Sequence, residues 1–401
     1  MFRHLLKLTW KRKTRNLMLS LEILLAFAMV FAVAAFGLRY WQLYHMPTGF
    51  DASDVWAVSM VPADRKAGID AAAYDAFRRG LRELPEVTQV GVGTYEPYSM
   101  SSTGGHWKTP AGARIRTGML DVDDNFAAVL GLHLAEGRWF SPLDDGASVL
   151  PVVLNRRMAE TMFPGKPAVG QQFADGDSEV KTVYKVVGVV DEYRKGGEYM
   201  TPENFTFVRF AGNTGAPDAN PRHPNTLLLK LRPGTARSFE NRLSRQLKLV
   251  RNDWTYEIST VSNTRTSLQK VQVMPLIVLG VIAAFMLVMV AFGLFGVLWQ
   301  NTTQRIPEIG LRRAVGARAA DIYGQIVAEQ LLLSSIAIVV GLVLLVQLPL
   351  TGALGESLNW TVFLSAAGLS MFVIYLLSLL CSLYPGWRAS RLSPTEALHY
   401  E

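Results

Sequence analysis

The side chains able to do chemistry are scattered along this 401-residue chain rather than gathered. The six histidines, His4, His45, His106, His133, His223 and His399, show no H-E-x-x-H or comparable metal-ligand spacing. The single cysteine, Cys381, falls inside an apolar run, so neither a disulfide framework nor a cysteine zinc site can be built. Serines and acids are plentiful, but no G-x-S-x-G elbow presents a nucleophile. A phosphate-cradling loop needs the pattern G-x-x-x-x-G-K-S/T. The only Gly-Lys pair, Gly165-Lys166, runs into Pro167 instead. The expectation is a chain that is not an enzyme and holds no metal or cofactor of its own.

Hydropathy organises the chain. Half of the residues are hydrophobic and the net charge is +7. Four segments, 17–38, 276–298, 326–348 and 361–383, meet the requirement of about 20 apolar residues for a hydrocarbon core about 30 Å thick. Basic residues cluster beside them. Arg3, Lys7, Lys11, Arg12, Lys13 and Arg15 precede the first segment with no acid among residues 1–16. Arg305, Arg312, Arg313 and Arg318 lie between the second and third, whereas 349–360 carries only Glu356. This asymmetry predicts both termini in the cytoplasm and residues 39–273 outside. A positive balance so placed marks membrane orientation, not nucleic-acid binding. Ala32-Val33-Ala34 could read as a cleavage site, but the apolar run exceeds the about 7–15 residues of a signal-peptide core, so an uncleaved anchor is expected. Tyr40, Trp41 and Tyr44 read as an outer aromatic belt. Glu22 and Glu329 lie near one end of their spans. Glu22 is read as snorkelling to the interface, and Glu329 as a candidate intramembrane partner for an arginine of the 304–321 loop.

The region 39–273 is long enough for its own core and for two subdomains. Residues 54–61 and 87–95 read as strands around a helix at 70–84, with Ala73, Phe77, Leu81 and Leu84 on one face. Far along the chain, 226–232 and 255–260 read as strands around a helix at 236–250, with Phe239, Leu243 and Leu247 at i, i+4 spacing. Two such units join as one split, ferredoxin-like α/β sheet, with the intervening piece inserted. The fold class is thus an α-helical membrane protein with four transmembrane helices plus a large α/β extracytoplasmic domain of two subdomains. The domain limits are 1–38, 39–273 and 274–401. Residues 261–275 read as a lead-in with Pro275 at the start of the second span, and Pro385 as the end of the fourth. Gly293 and Gly296 would allow close helix approach.

Between the second and third spans, residues 304–321 read QRIPEIGLRRAVGARAAD. Pro307 suits a first helical turn. Glu308 and Arg312 form an i, i+4 pair in the favoured order. Gly316 is placed to end the helix in the left-handed conformation. Nine helical residues would run about 13 Å. Arg312 and Arg313 are expected to face solvent or a partner.

Three stretches carry a resemblance. The words EIGLRRAVGA resemble the most recognisable motif of the MacB/FtsX family of ABC transporter permeases. VDDNFAAVLGLHLAEGRWFSPLDD, VLPVVLNRRMAETMFPGKPAVGQQF and YKVVGVVDEY, in that order, look like the extracytoplasmic domain of MacB-type permeases. Gly137, Gly165, Gly170 and Gly188 within or beside them are explained as turn and close-approach positions. The tail LYPGWRASRLSPTEALHYE resembles the family's ending. The resemblance implies that Glu308, Ile309, Gly310, Leu311, Arg312, Arg313, Val315, Gly316 and Ala317 belong to a coupling helix seated on an ABC ATPase. MacB carries a fused ATPase domain, and the chain is expected to resemble the family's separate permease subunits. ATP would then be bound by the partner ATPase. The resemblance also implies the bacterial inner membrane, and a homodimer or a heterodimer with a related permease. A periplasmic adaptor is a further candidate partner. Efflux or mechanotransmission is the first reading. An FtsX-like regulator of cell-wall hydrolases, or a lipoprotein-releasing permease, is the alternative. A membrane-anchored sensor would need a cytoplasmic signalling domain, for which the cytoplasmic segments are too short.

Overall fold

The computed structural model describes residues 13–63, 69, 71–110, 112–147, 149–174, 182–210, 224–353 and 355–391. The basic residues up to Arg12, the helix start at Asp70 and the Glu-Ala-Leu of the tail lie outside the described residues. After a first helix, α1 (Lys13–Tyr44), the chain enters a compact unit, Leu43–Gln272. The unit begins with β1 (Val55–Val61), α2 (Ala71–Arg82) and β2 (Val87–Gly93).

An insertion follows: β3 (Gly104–Lys108), β4 (Arg114–Val122), α3 (Phe126–Leu130), β5 (Leu134–Gly137), β6 (Leu150–Asn155), α4 (Arg156–Met162), β7 (Gln172–Ala174), β8 (Val183–Val190) and β9 (Phe205–Arg209). β10 (Thr226–Leu231), α5 (Phe239–Val250) and β11 (Thr255–Thr260) then complete the first half. The outer strands assemble in the order β11-β1-β10-β2, antiparallel throughout, which is the split ferredoxin-like sheet.

Strand alternation explains how that sheet is covered on both sides. Trp56, Val58 and Met60 of β1 and Leu227 and Leu229 of β10 meet Tyr74, Phe77 and Leu81 of α2 and Phe239, Leu243 and Leu247 of α5. The opposite phase of the same strands, Val55, Ala57 and Leu228, joins a second core with Phe126, Val129, Phe205 and Phe207. The inserted strands run β4-β9-β6-β8-β5, with β3 on β4 and β7 on β8. They join the first half through a single pairing, Gly93 with Val122. A Cβ on Gly93 would come within 2.8 Å of the Phe126 ring, so glycine lets α3 seat on the junction. The two subdomains therefore share one eleven-stranded sheet.

The second compact unit comprises residues 1–42 and 273–401. Its further helices are α6 (Val261–Gln304), α7 (Ile306–Ala314), α8 (Ala319–Leu345), α9 (Gln347–Thr351) and α10 (Trp360–Ser390). Among the described residues, four helical stretches are long and apolar enough to cross a membrane: Leu17–Tyr44, Val261–Gln304, Ala319–Thr351 and Trp360–Ser390. Ile23 and Phe27 of α1 are buried with Val290 and Leu294 of α6, Leu333 and Ile338 of α8 and Ile374 of α10. A Cβ on Gly341 would meet the Phe27 ring at 2.6 Å, so this glycine sets the approach of α1 to α8. α8 and α10 are also pinned by hydroxyls, Ser334 to Ser378 at 2.7 Å and Ser335 to Tyr375 at 2.9 Å.

Several sequence expectations change here. Residues 261–275 are already helical: α6 is continuous over 44 residues, about 66 Å at 1.5 Å per residue, so Pro275 lies inside the helix rather than at its start. Proline removes one backbone donor, and a long helix absorbs that loss. Pro385 likewise does not end α10, which continues to Ser390. The turn beyond it is held by packing, with Ala389 buried against Ile309 and Ile322 and with Gly386 against the Tyr323 ring. Glu22 lies against α6. It is half-buried, its carboxylate 2.7 Å from where a Cβ on Gly293 would lie. Gly296 has open space around it, so of the two glycines only Gly293 is closely approached.

Candidate partner-docking site

The short helix α7 follows α6 after a single intervening residue, Arg305, which occupies the N-cap position. Pro307 sits in its first turn, and Gly316 closes its end with φ +104°. The Gly316 N–H donates to the Arg313 carbonyl (3.1 Å) and the Ala317 N–H to the Arg312 carbonyl (3.0 Å), the paired bonds of a Schellman ending. Ile306, Ile309 and Gly310 form the buried side of α7. Ile309 packs with Ile322 of α8 and Ala389 of α10.

The polar residues fix both ends of the helix. Arg312 donates to Glu308 (2.6 Å) and to Gln325 of α8 (2.7 Å). Gln325 donates to Glu329 (2.9 Å), and Glu329 accepts from Arg305 at 2.8 and 3.1 Å. The run Glu308–Arg312–Gln325–Glu329–Arg305 thus starts on α7, crosses to α8 and returns to the N-cap of α7. Arg313 donates to the Ser390 carbonyl of α10 at 3.3 Å. Arg312 and Arg313 are therefore half-buried and bonded within the chain, while the Arg312 side chain keeps 42% of its surface exposed.

The outward side of α7 carries an apolar pair beside the exposed Glu308 and the part-exposed Arg312. Leu311 is 61% exposed and Val315 is 83% exposed, an i, i+4 pair flanked by Glu308. The helix is thus held by its buried side and by both ends, with this apolar pair exposed. Among the described residues no group of three or more His, Cys, Asp or Glu is placed to hold a metal ion.

Sequence reading missed a second polar centre, within the Leu43–Gln272 unit. The fully buried Arg194 guanidinium donates to the carbonyls of Leu43 (3.0 Å), Met46 (3.0 Å), Pro47 (3.4 Å) and Met200 (2.7 Å), and to that of Glu198. The Glu198 carboxylate accepts from Tyr98 (3.2 Å) and from Gln269 of α6 (3.1 Å), and pairs with Arg265 of α6 at 2.7 Å. The loop 193–200 thereby ties the C-terminal end of α1 to the start of α6. Burial, with the Glu198 charge adding to it, pushes the Tyr98 phenol well above its ordinary value. In the sequence this loop reads as ordinary polar turn, and nothing periodic marks it.

Comparison with known proteins places these features. The family model described as MacB-like periplasmic core domain matches residues 22–245, more than half of the chain, and that described as FtsX-like permease C-terminal matches residues 280–394. The chain belongs to the MacB/FtsX family of permeases. The macrolide export ATP-binding/permease protein MacB 1/2 of Paracoccus denitrificans is 28% identical over 70% of this chain and 40% of its own length. MacB 1 of Yersinia pestis bv. Antiqua is 23% identical over 100% of this chain and 61% of its own length. The chain thus spans 40–61% of these MacB relatives. The periplasmic region of MacB from Actinobacillus actinomycetemcomitans aligns over 57% of this chain and 98% of that one, with 13% identity and a TM-score of 0.40. The α7 helix lies within the FtsX-like match, and the whole insertion, with β1, α2, β2 and β10 of the split sheet, lies within the MacB-like match, while β11 falls beyond it. This MacB/FtsX-family chain carries four helices long and apolar enough to cross a membrane among its described residues.

Proposed function

We propose that the chain is the permease subunit of an ABC transporter in the bacterial inner membrane, with both termini in the cytoplasm. In this reading α7 is the coupling helix. An ABC ATPase on a separate polypeptide binds ATP and closes, and α7 carries the motion into the spans. α6 is continuous from Val261 to Gln304, so the same helix reaches the extracytoplasmic sheet. Two ATPases close on each other, so two permeases are needed, as a homodimer or with a related chain. The work performed is efflux or mechanotransmission on molecules outside, with a periplasmic adaptor as a further partner.

The observation that carries this reading is the division of α7. Its buried side and both ends are fixed to α8 and α10, while Leu311 and Val315 stand free. A load placed on that apolar pair passes to Glu329 and Ser390 rather than being lost in a mobile loop. The alternative functions, regulation of cell-wall hydrolases or lipoprotein release, would use the same coupling helix. The MacB-like match over 22–245 favours the efflux or mechanotransmission branch. The test is recovery of an ATPase with the tagged chain from its own host membranes, and its loss when a charge replaces Leu311 or Val315.

A further inference from the structure

At the end of the spans that carries α7, rings and cations from two helices meet. Trp299 of α6 and Tyr384 of α10 stack with centroids 6.0 Å apart and planes 5° from parallel. Phe295 stacks on both at 6.2 Å, and Trp387 extends the group at 6.3 Å from Tyr384. The Arg388 guanidinium lies 4.4 Å over the Trp299 ring and that of Arg391 lies 4.4 Å over Trp387. Tyr384, Trp387, Arg388 and Arg391 are exposed and follow the i, i+3, i+4, i+7 spacing of a single helix face.

A ring face holds a cation in place without neutralising it. Among the described residues, no carboxylate forms an ion pair with Arg388 or Arg391. Among the described residues their guanidinium N–H groups remain available for an anion, in a planar fork that suits phosphate. Interfacial aromatics and arginines alone would only anchor a span. Here, however, the cations are fixed against rings from α6 and α10, and Arg313 adds a third guanidinium at the Ser390 carbonyl beside Arg391.

We propose that this corner binds the phosphate headgroup of an anionic phospholipid, with the acyl chains along Phe295 and Trp299 and the phosphate between Arg388 and Arg391. The site rests on the proposed function only in assigning the corner to the cytoplasmic leaflet. The headgroup would tie the end of α6, next to the α7 joint, to the end of α10. Basic pockets between spans on the cytoplasmic side are of the kind that select anionic headgroups.

The test is native mass spectrometry of the full-length chain in detergent, titrated with phosphatidylglycerol or phosphatidylcholine. The expected result is a retained phosphatidylglycerol adduct that phosphatidylcholine does not give. Each arginine neutralised, Arg388→Gln or Arg391→Gln, should weaken retention about fivefold, while Arg318→Gln leaves it unchanged. Arg391→Gln, at the C-cap of α10, serves alone if Arg388→Gln does not purify. Equal retention of both lipids, or an adduct indifferent to Arg388 and Arg391, would overturn the site. So would an equal loss with Arg318→Gln. Displacement of the lipid by millimolar inorganic phosphate would assign the corner to a soluble phosphate instead. The measurement uses the chain without an ATPase and outside a bilayer, so its failure is distinct from a failure of ATPase docking or of the orientation.

Discussion

Arg305 and Glu329 meet at 2.8 Å across 24 positions of sequence, joining the N-cap of α7 to the third membrane helix. Both side chains are largely shielded, 20% and 26% exposed, so removing one partner costs more than at a surface ion pair. It is also the last link in the run that begins at Glu308. Removing either residue releases the start of the short helix and leaves the other charge short of a partner.

The first prediction follows from that pair. Arg305→Gln and Glu329→Gln should each destabilise the chain, and the double variant should lose less than the sum. Residues sharing one network couple by about 0.5–3 kcal/mol. Thermal unfolding of the three variants in nanodiscs measures this. Strict additivity would mean that the two side chains act independently.

Arg194 makes the second prediction. Arg194→Met removes the donors serving the carbonyls of Leu43, Met46, Pro47, Glu198 and Met200 at once. Each buried group left unmade costs about 1–3 kcal/mol, so a loss of at least about 3 kcal/mol is expected. Arg194→Lys should rescue little, because an ammonium cannot reproduce the planar fork. Urea unfolding followed by cleavage within residues 43–272 reads both. A midpoint unchanged by Arg194→Met would contradict the assignment of this loop as a joint.

The third prediction concerns acid. Burial raises the Asp51 pKa, but hydrogen bonds from Ser53 and Lys230, with the Lys230 charge, outweigh it and bring the carboxyl down from 3.8 to about 2. A depressed carboxylate contributes stability above its unfolded value and loses it as pH falls through the folded one. The contribution is therefore complete above pH 3.8 and fades toward about pH 2. Asp51 is more than half exposed, so solvent keeps the effect small. Asp51→Asn should flatten the acid limb of the stability profile within that window, and an unchanged limb would remove the Asp51–Lys230 pair as its cause.

What was legible in the sequence was whatever has a period or a special backbone. The stripes of α2 and α5 require an i, i+4 pattern, which Phe77 and Leu81, and Phe239, Leu243 and Leu247, display directly. Gly316 announces the end of α7 because few other residues tolerate a positive φ. Glu308 and Arg312 are four apart and do meet. The strands β3, β4 and β9 were not legible. β4 reads RIRTGMLDV, and its burial comes from partners far away in sequence. Arg194 was hidden for the same reason, since its partners include Leu43 at a separation of 151. The two prolines misled because a local rule about backbone donors was overridden by helix length at Pro275 and by packing at Pro385.

Orientation gives the fourth prediction. With Cys381→Ser as background, Leu143→Cys, 87% exposed in the sheet domain, should react with an impermeant thiol reagent in intact spheroplasts. Val315→Cys should react only after lysis. The reverse pattern would invert the assignment of the termini.

The central claim is that the apolar pair on α7 receives an ATPase. Leu311→Glu and Val315→Glu place a charge on exposed positions, so their cost to folding should stay within about 0.5 kcal/mol. Against a complementary apolar surface the same charge costs several kcal/mol in binding. Arg313→Glu is a poorer probe, because it also breaks the bond to Ser390. The decisive measurement is the amount of ATPase co-purifying with each variant from host membranes, together with its turnover in nanodiscs, at matched permease abundance. Normal insertion with lost ATPase recovery and lost stimulation is the result expected. Full recovery and full coupled turnover in both variants would mean that α7 is an ordinary loop helix and that force enters the permease elsewhere.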